Sequence, residues 1–171
     1  MQGEAAVADR RASPAVLRVT AVALGSNQGD RIAHLTYAVS ALESLLDGMR
    51  VSPFLETAPV DVPPQPPYLN GAAVGTCNLS PPALLARLMR IERARGRERP
   101  YPGAARTLDI DLVLMGHLAG RWPDLELPHP RFRRRRFVLE PLAAIAPDLE
   151  DPVTGRSVRE LLADLGPAAG R

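Results

Sequence analysis

Two carboxylates, Asp109 and Asp111, stand at alternate positions in the otherwise mostly apolar segment 107–115. In a β-strand, residues i and i+2 point to the same face with Cα atoms about 6.6–6.8 Å apart. Two carboxylates on a buried face repel each other unless a cation lies between them. Oxygen ligands without histidine or cysteine suit Mg²⁺, which completes its shell with water and phosphate oxygens, and such a pair can hold two ions. The pattern predicts a magnesium site; the alternative is a strand whose polar face meets solvent.

Three arginines, Arg97, Arg99 and Arg106, belong to the Gly- and Pro-containing segment 96–106 that leads into the aspartate strand. This combination suits a magnesium–triphosphate complex, because guanidinium groups neutralise charge on a transferring group and a mobile segment can close over it. The alternative is solvated charge at a helix end. All 21 basic residues are arginine. The absence of lysine excludes a P-loop and leaves anion recognition to guanidinium forks.

Four further side chains are candidates for ligand contacts. His129 stands between two prolines and can donate a hydrogen bond to a phosphate or cap a turn. Asn70 begins a predicted strand, where its amide can recognise a flat heterocycle or tie down a turn. Tyr68 and Phe137 can stack on such a ring, or serve as core residues.

The composition is that of a single globular domain. The 171 residues are 46% hydrophobic and 23% charged, with no apolar run of the ~20 residues needed to span a bilayer. The single cysteine, Cys77, excludes a disulfide framework and predicts a core residue in a reducing compartment. Residues 1–17 lack periodicity and are expected to form a disordered tail on a domain comprising residues 18–171. No targeting signal is recognised, so that the expected location is the cytoplasm.

Arginines form two blocks in this nearly neutral chain, whose net charge is +2. Seven lie between Arg87 and Arg106, and five of the six residues from Arg131 to Arg136 are arginine. Such blocks indicate a polyanionic ligand or nucleic acid.

The elements that must position these side chains follow from hydrophobic periodicity and from turn residues. The patterns predict strands over 17–24, 49–56, 68–77 and 107–115, helices over 32–46 and from Ser80-Pro81 onwards, a hairpin over 116–127, and helices over 135–144 and 158–165. In the last strand, alternation places Leu108, Ile110, Leu112 and Leu114 on one face and Asp109, Asp111 and Val113 on the other. Five prolines within 57–67 predict a stiff, ordered loop with a function.

The order strand, helix, strand, strand, helix, strand predicts an α+β fold. It is the ferredoxin-like βαββαβ arrangement, an antiparallel sheet with helices on one face, here followed by C-terminal additions.

Seven motifs in order resemble the 6-hydroxymethyl-7,8-dihydropterin pyrophosphokinase family of the folate pathway. They are Ala-Leu-Gly-Ser-Asn (23–27), Thr57 with Tyr-Leu-Asn (68–70), Ile-Glu (91–92), Gly-Arg-Glu-Arg (96–99), Arg-Thr-Leu-Asp-Ile-Asp-Leu (106–112), Pro-His-Pro-Arg (128–131) and Arg-Arg-Phe-Val-Leu-Glu-Pro-Leu (135–142). The resemblance runs from about residue 18 to residue 165.

The resemblance implies transfer of the β,γ-diphosphate of ATP, as one unit, to the hydroxymethyl group of the pterin, with AMP as the second product. ATP is then a co-substrate and two Mg²⁺ ions are cofactors. It implies metal ligands and catalytic arginines at Asp109, Asp111, Arg97 and Arg106. It implies pterin contacts at Thr57, Tyr68, Asn70 and Phe137. It implies nucleotide contacts at Glu92, Arg99, His129 and Arg135. The expected partners are these small molecules, without nucleic acid or membrane, and the expected state is a monomer.

The chain departs from the family pattern in the catalytic loop. The family's loop tryptophan has no counterpart, since Gly103 falls at its place, and Tyr101 is a candidate to supply some of its stacking. These departures concern the closed loop and the adenine contacts rather than the reaction.

A different class, an RNA-recognition domain of ferredoxin-like fold, is weakly favoured by the arginine blocks. Only 4% of residues are aromatic, and no strand has the aromatic residues on which such domains stack bases. Paired aspartates would also repel a phosphate backbone unless a metal intervened.

Overall fold

The computed structural model describes residues 16–59, 64–96 and 104–167. Its strands are β1 (Arg18–Ser26), β2 (Asp47–Val51), β3 (Leu55–Thr57), β4 (Tyr68–Cys77), β5 (Asp109–Met115), β6 (Gly120–Trp122) and β7 (Leu125–Leu127). Its helices are α1 (Arg31–Leu42), α2 (Pro81–Ala94), α3 (Arg136–Ile145) and α4 (Val158–Asp164), with a 3₁₀ turn at Phe132–Arg134. None of the helices within these ranges has the length and hydropathy needed to cross a membrane.

An antiparallel sheet forms the centre of this mixed α/β protein. Its strand order is β2-β4-β1-β5, and β3 pairs with β4. The β1–β4 ladder is unbroken from Arg18 opposite Cys77 to Ser26 opposite Leu69. Strands β6 and β7 form the predicted hairpin as a separate two-stranded sheet.

Each face of the sheet packs against two helices. One hydrophobic cluster joins α1 and α2 to the sheet through residues such as Leu35 and Leu84. The other joins α3 and α4 to the opposite face through Leu139 and Leu161. The two helices that connect the sheet strands therefore share one face, and the C-terminal helices cover the other.

A β-bulge in β5 overturns part of the predicted alternation. Strand β1 pairs Ala21 with Leu114 but Val22 with Leu112, so that Val113 is an extra residue in β5. Because side chains in a strand alternate between the two faces, one extra residue moves every later side chain to the opposite face of the sheet. Leu114 consequently packs with the α3–α4 cluster, and its predicted place beside Ile110 and Leu112 is wrong.

Two predicted elements differ from their expected bounds by more than two residues. The first helix ends at Leu42 rather than at residue 46, and Ile32, expected on its buried face, is 65% exposed. The predicted strand 49–56 is divided into β2 and β3, because proline follows Ser52 and cannot donate to a ladder. At the break, Ser52 pairs with Ala72, donating its N–H to the Ala72 carbonyl and accepting the Ala72 N–H on Oγ.

Candidate active site

One row across the sheet brings the predicted metal and pterin residues together. Gly25 in β1 lies opposite Asn70 of β4 on one side and opposite Asp109 of β5 on the other. In the next row, Ala23 lies opposite Asp111. Directly opposed residues in an antiparallel sheet share a face. Asn70, Asp109 and Asp111 therefore lie on the α3–α4 face, with only a glycine between Asn70 and Asp109.

The glycine leaves a cradle between the polar groups. A Cβ at Gly25 would lie 3.0 Å from Oδ1 of Asn70 and 3.9 Å from Cδ1 of Tyr68. At Gly25, the surface of β1 between β4 and β5 therefore consists of backbone, which allows a flat ligand to approach the sheet closely.

The two carboxylates are each paired with arginine. Asp109 forms a salt bridge with Arg106, and Oδ2 of Asp111 lies 3.4 Å from Nη1 of Arg135. Burial and the neighbouring Asp109 carboxylate raise the pKa of Asp111, although His129 and Arg135 act in the opposite direction. Mutual repulsion between the aspartates is therefore present without a cation, as the sequence predicted.

Asn27 fixes the backbone of Arg106. The Arg106 N–H donates to Oδ1 of Asn27 at 2.8 Å, and the Asn27 N–H donates to the Arg106 carbonyl at 3.0 Å. Burial alone would lower the pKa of Arg106, but the salt bridge with Asp109 raises it. The guanidinium is thereby held as a cation beside the carboxylates.

His129 is positioned by the β-bulge. Its N–H donates to the carbonyl of Val113, the extra residue of β5, at 2.9 Å. Its Nδ1 accepts the Arg131 N–H at 3.2 Å, so that in the neutral ring the proton lies on Nε2, which is 3.8 Å from Oδ2 of Asp111. Burial lowers the pKa of His129; Asp111 opposes this shift, and Arg135 and Arg131 reinforce it. The neutral form presents an N–H donor at the carboxylate end of the site.

Thr57, at the end of β3, and Tyr68 and Asn70, at the start of β4, form a polar group. Asn70 Nδ2 donates to Thr57 Oγ1 at 2.6 Å, and the Tyr68 hydroxyl donates to Gln65 Oε1 at 3.3 Å. Burial raises the pKa of Tyr68, with Arg106 acting against the shift and Asp109 adding to it. These side chains can offer a heterocycle both hydrogen bonds and a ring surface.

The start of α3 brings the last two predicted residues to the same face. The Arg135 guanidinium lies 5.4 Å from the ring centroid of Phe137. Burial and Arg131 lower the pKa of Arg135, against the effect of Asp111. The turn before the helix is anchored by Arg133, whose Nε and Nη2 donate to the buried carboxylate of Asp151 at 2.6 and 2.8 Å.

Glu92 lies beneath the site rather than on its surface. It is buried in α2, and its Oε1 accepts the Ile110 N–H at 2.7 Å. Because β5 is the last strand of the sheet, this bond satisfies a donor on its open edge and ties α2 to the strand that holds the aspartates.

The carboxylate pair fits Mg²⁺. Within the described ranges, no group of three or more His, Cys, Asp or Glu side chains could hold a metal ion. Magnesium does not need such a cage, since it commonly takes one or two carboxylates and completes its octahedron with water and phosphate oxygens. The Asp109 carboxylate, which together with burial raises the pKa of Asp111, is a second observation in favour of a cation at this place.

Comparison with known families decides the identity. The family model described as 7,8-dihydro-6-hydroxymethylpterin-pyrophosphokinase (HPPK) matches residues 21–147. The chain belongs to the HPPK family. The match includes all twelve of the predicted site residues.

Two bacterial relatives support the HPPK assignment. A Synechocystis protein named 2-amino-4-hydroxy-6-hydroxymethyldihydropteridine pyrophosphokinase is 39% identical over 143 residues, covering 82% of this chain and 73% of that protein. A Pseudomonas aeruginosa protein of the same name is 41% identical over 144 residues, covering 83% of this chain and 88% of that protein.

Solved structures of the HPPK family share the fold. A crystal structure of a Plasmodium falciparum HPPK-DHPS triple mutant matches with a TM-score of 0.70 and 13% sequence identity, covering 87% of this chain and 43% of that chain. The present chain therefore spans less than half of that longer protein.

The structure describes ten of the twelve predicted HPPK site residues. Nine lie on or beside the row described above, and Glu92 lies beneath it. Arg97 and Arg99 lie outside the described residues, as do Tyr101 and Gly103.

Asn27 and Gly25 were missed as site residues by reasoning from sequence. Both belong to the motif Ala-Leu-Gly-Ser-Asn (23–27), which covers the end of β1 and the residue after it. Asn27 depends on residues 38 to 79 positions away, and Gly25 depends on the register of the two strands that pair with β1. The local sequence identifies neither.

Proposed function

We propose that this chain transfers the β,γ-diphosphate of ATP to the hydroxymethyl group of 6-hydroxymethyl-7,8-dihydropterin in tetrahydrofolate biosynthesis. The alcohol oxygen bonds to the β-phosphorus, the bond from that phosphorus to the bridging α,β-oxygen breaks, AMP leaves, and the alcohol proton is released. Membership of the HPPK family and the names of the bacterial relatives support this reaction.

The observation that carries the proposal is the row formed by Asn70, Gly25 and Asp109. Two strand spacings of about 4.8 Å separate the amide from the carboxylate. A bicyclic heterocycle held by Asn70 therefore projects its substituent toward the carboxylates over a floor without side chains. This distance suits a reaction in which the pterin alcohol meets a metal-bound polyphosphate.

On the pterin side, Thr57 and Asn70 supply hydrogen bonds to the edge of the heterocycle. Their own bond of 2.6 Å orients both groups before the substrate arrives, which reduces the ordering cost of binding. Tyr68 and Phe137 supply the ring surfaces. An oriented amide also discriminates against heterocycles that lack matching donors and acceptors.

On the nucleotide side, positive charge surrounds the path of the transferring group. Arg106 and Arg135 face the carboxylates, and His129 offers its Nε2 proton to a phosphate oxygen. Arg97 and Arg99 are assigned to the catalytic loop and the nucleotide by resemblance. Arginine forks at this place stabilise charge that develops on the bridging oxygen during transfer.

Asp109 and Asp111 are the residues that would hold magnesium, with two ions as the finer proposal. The chemistry supplied by bound magnesium is neutralisation of the polyphosphate and polarisation of its oxygens. The aspartates fix where this charge is placed, Asp109 directly opposite Gly25 and Asp111 opposite Ala23. Glu92 holds β5, and with it the aspartates, against α2.

The finer fold and domain assignments also belong to this proposal. The order β2-β4-β1-β5, with α1 and α2 sharing a face, supports the ferredoxin-like description. Residues 18–171 as a single domain, residues 1–17 as a disordered tail, a monomeric state and a cytoplasmic location stay predictions.

Product analysis tests the reaction. The protein is incubated with MgATP and the pterin, and nucleotides are separated by ion-exchange chromatography. AMP and pterin diphosphate should form in equal amounts, and neither should form without the pterin. ADP as the pterin-dependent product would contradict the proposal.

A matched pair of variants connects the reaction to the site. Asp109→Asn should abolish AMP formation, whereas Asp124→Asn, at an exposed position in the hairpin turn, should not.

Thermal unfolding distinguishes the small-molecule substrates from nucleic acid as ligands. MgATP with the pterin should raise the unfolding midpoint, whereas single-stranded RNA should leave it unchanged.

A further inference from the structure

Asn27 joins two distant parts of the site through its buried amide. The residue is 1% exposed and follows β1 directly. Its Oδ1 accepts the Arg106 N–H at 2.8 Å, whereas its Nδ2 donates to Gln65 Oε1 at 2.7 Å and to the Pro66 carbonyl at 3.1 Å. One side chain thus bonds to segments 79 and 38 positions away in the sequence.

These bonds use both the acceptor and the donor character of the amide. No other side chain of this size offers an acceptor and a two-proton donor on one planar group. Aspartate would keep the bond from the Arg106 N–H, but would place an acceptor against two other acceptors. Alanine would remove the partners of the Arg106 N–H and of the Pro66 carbonyl, in two hydrogen bonds that are partly buried, which is costly.

The network continues to the pterin side. Gln65 Oε1 also accepts the hydroxyl of Tyr68 at 3.3 Å. A chain of hydrogen bonds therefore runs from the Arg106 backbone through Asn27 and Gln65 to Tyr68. Arg106 is at the carboxylates and Tyr68 is at the predicted pterin pocket, so that these hydrogen bonds connect the carboxylates to that pocket.

We propose that Asn27 is a positioning residue that fixes Arg106 relative to the pterin pocket. This inference rests on the proposed function. Asn27 need not touch either substrate, because it acts through the backbone of Arg106 and through Gln65. Misplacement of a catalytic group by about 1 Å can cost about 10²-fold in rate. Removal of the amide should accordingly lower turnover more than it lowers nucleotide affinity.

The test compares Asn27→Ala with Asn78→Ala, at an exposed position at the far end of β4. Asn27→Ala should lower kcat by about 10- to 100-fold and change the Kd of MgATP by less than about threefold, whereas Asn78→Ala should change neither. A fall in kcat that matches the fraction of unfolded protein at the assay temperature would overturn the proposal, because Asn27 would then serve only stability.

A double-mutant cycle separates positioning from independent effects. If Asn27 acts through Arg106, then Asn27→Ala should lower kcat by less than about threefold when Arg106 is already alanine. Independent losses that multiply in the double variant would contradict the proposal.

Amide hydrogen exchange supplies a readout that does not depend on activity. The Arg106 N–H donates to Asn27, so that its exchange should accelerate in Asn27→Ala and remain slow in Asn78→Ala. Unchanged protection would overturn the proposal even if the wild-type protein formed AMP. Absence of AMP from the wild-type protein would instead refute the proposed function and leave this exchange result standing.

If Asn27→Ala does not fold, Asn27→Asp takes its place. It should retain slow exchange at Arg106 because the acceptor remains, while the lost donor should release the Gln65 segment and raise the KM for the pterin. Unchanged pterin KM in this variant would overturn the proposed connection to Gln65.

Discussion

Replacement of Gly25 by alanine should weaken pterin binding selectively. Gly25 has ordinary strand backbone, so that alanine is not excluded by conformation. The added Cβ would lie 3.0 Å from Oδ1 of Asn70, about 0.5 Å inside the optimal separation of non-bonded heavy atoms. Because Asn70 Nδ2 is held by Thr57 at 2.6 Å, the amide cannot move without straining that bond.

The contacts of Gly25 indicate how far the substitution should change the free energy of unfolding and the affinity for the pterin. A strained neutral hydrogen bond costs about 1 kcal/mol, whereas replacement of glycine at a compatible position stabilises by about 0.4–1 kcal/mol through the unfolded state. The free energy of unfolding should therefore change by less than about 1 kcal/mol. A misplaced amide leaves a buried polar group of the pterin unpaired, at about 1–3 kcal/mol. This corresponds to a Kd for the pterin that is about 5- to 150-fold higher.

Calorimetry with each substrate and thermal unfolding of the free protein provide the measurements. The control is Gly120→Ala in β6, where an added Cβ meets only Trp122, at 3.6 Å. Gly120→Ala should leave both affinities unchanged. Equal weakening of pterin and MgATP by Gly25→Ala, or unchanged pterin affinity, would refute the proposal that Gly25 forms the floor between Asn70 and the carboxylates.

Substitutions at three charged residues test the charges. Asp111→Ala should lower turnover by orders of magnitude at ordinary Mg²⁺, while the unfolding midpoint of the free protein holds or rises, because burial and Asp109 raise the pKa of Asp111; calorimetric unfolding and product assays check both. Arg106→Ala should lower kcat by about 10²-fold with a smaller change in nucleotide Kd, and Arg106→Lys should rescue little; single-turnover kinetics separate the two effects. Burial alone would raise the pKa of Asp151, but hydrogen bonds led by Arg133 lower it below 3.8. Its contribution to stability is therefore present above about pH 4 and is lost as the pH falls further. Urea unfolding should show a shallower acid dependence in Asp151→Asn, and a loss of about 3 kcal/mol at pH 7 in Asp151→Ala.

Local patterns in the sequence predicted correctly that Asp109 and Asp111 share a face of the sheet, and predicted the end of their strand incorrectly. The alternation of polar and apolar side chains from Asp109 to Leu112 is a property of one extended segment and can be predicted from the residues of that segment alone. The reversal at Leu114 arises because β5 has one more residue than β1 between paired positions. Such a bulge depends on the partner strand, so that the residues of β5 alone did not predict it.

The position of His129 has the same non-local origin. The bulge frees the Val113 carbonyl from the ladder, and that carbonyl accepts the His129 N–H. The sequence identified the histidine by its type and by its neighbouring prolines. The sequence did not identify the group that positions His129, because that group is the backbone carbonyl of Val113, whose side chain is typical of a strand.

The gap between the predicted pterin residues and the aspartates depends on register across three strands. The segments of Asn70 and Asp109 are far apart in the chain and each pairs with β1, so that their separation is set at one position of β1. Any residue other than glycine at that position would place a side chain between the amide and the carboxylate. The motif containing Gly25 was visible in the sequence, but its consequence required both ladders.

The charges explain why this face suits a metal–polyphosphate complex rather than either component alone. Each carboxylate faces a guanidinium in the free chain, Asp109 with Arg106 and Asp111 with Arg135. A polyphosphate alone would be attracted by the arginines but repelled by the carboxylates. A cation alone would be attracted by the carboxylates but repelled by the arginines. A complex carrying both charges can replace both halves of each pair without leaving a buried charge unpaired. The side chains that pair with one another in the free chain are therefore expected to favour a ligand that itself carries opposite charges.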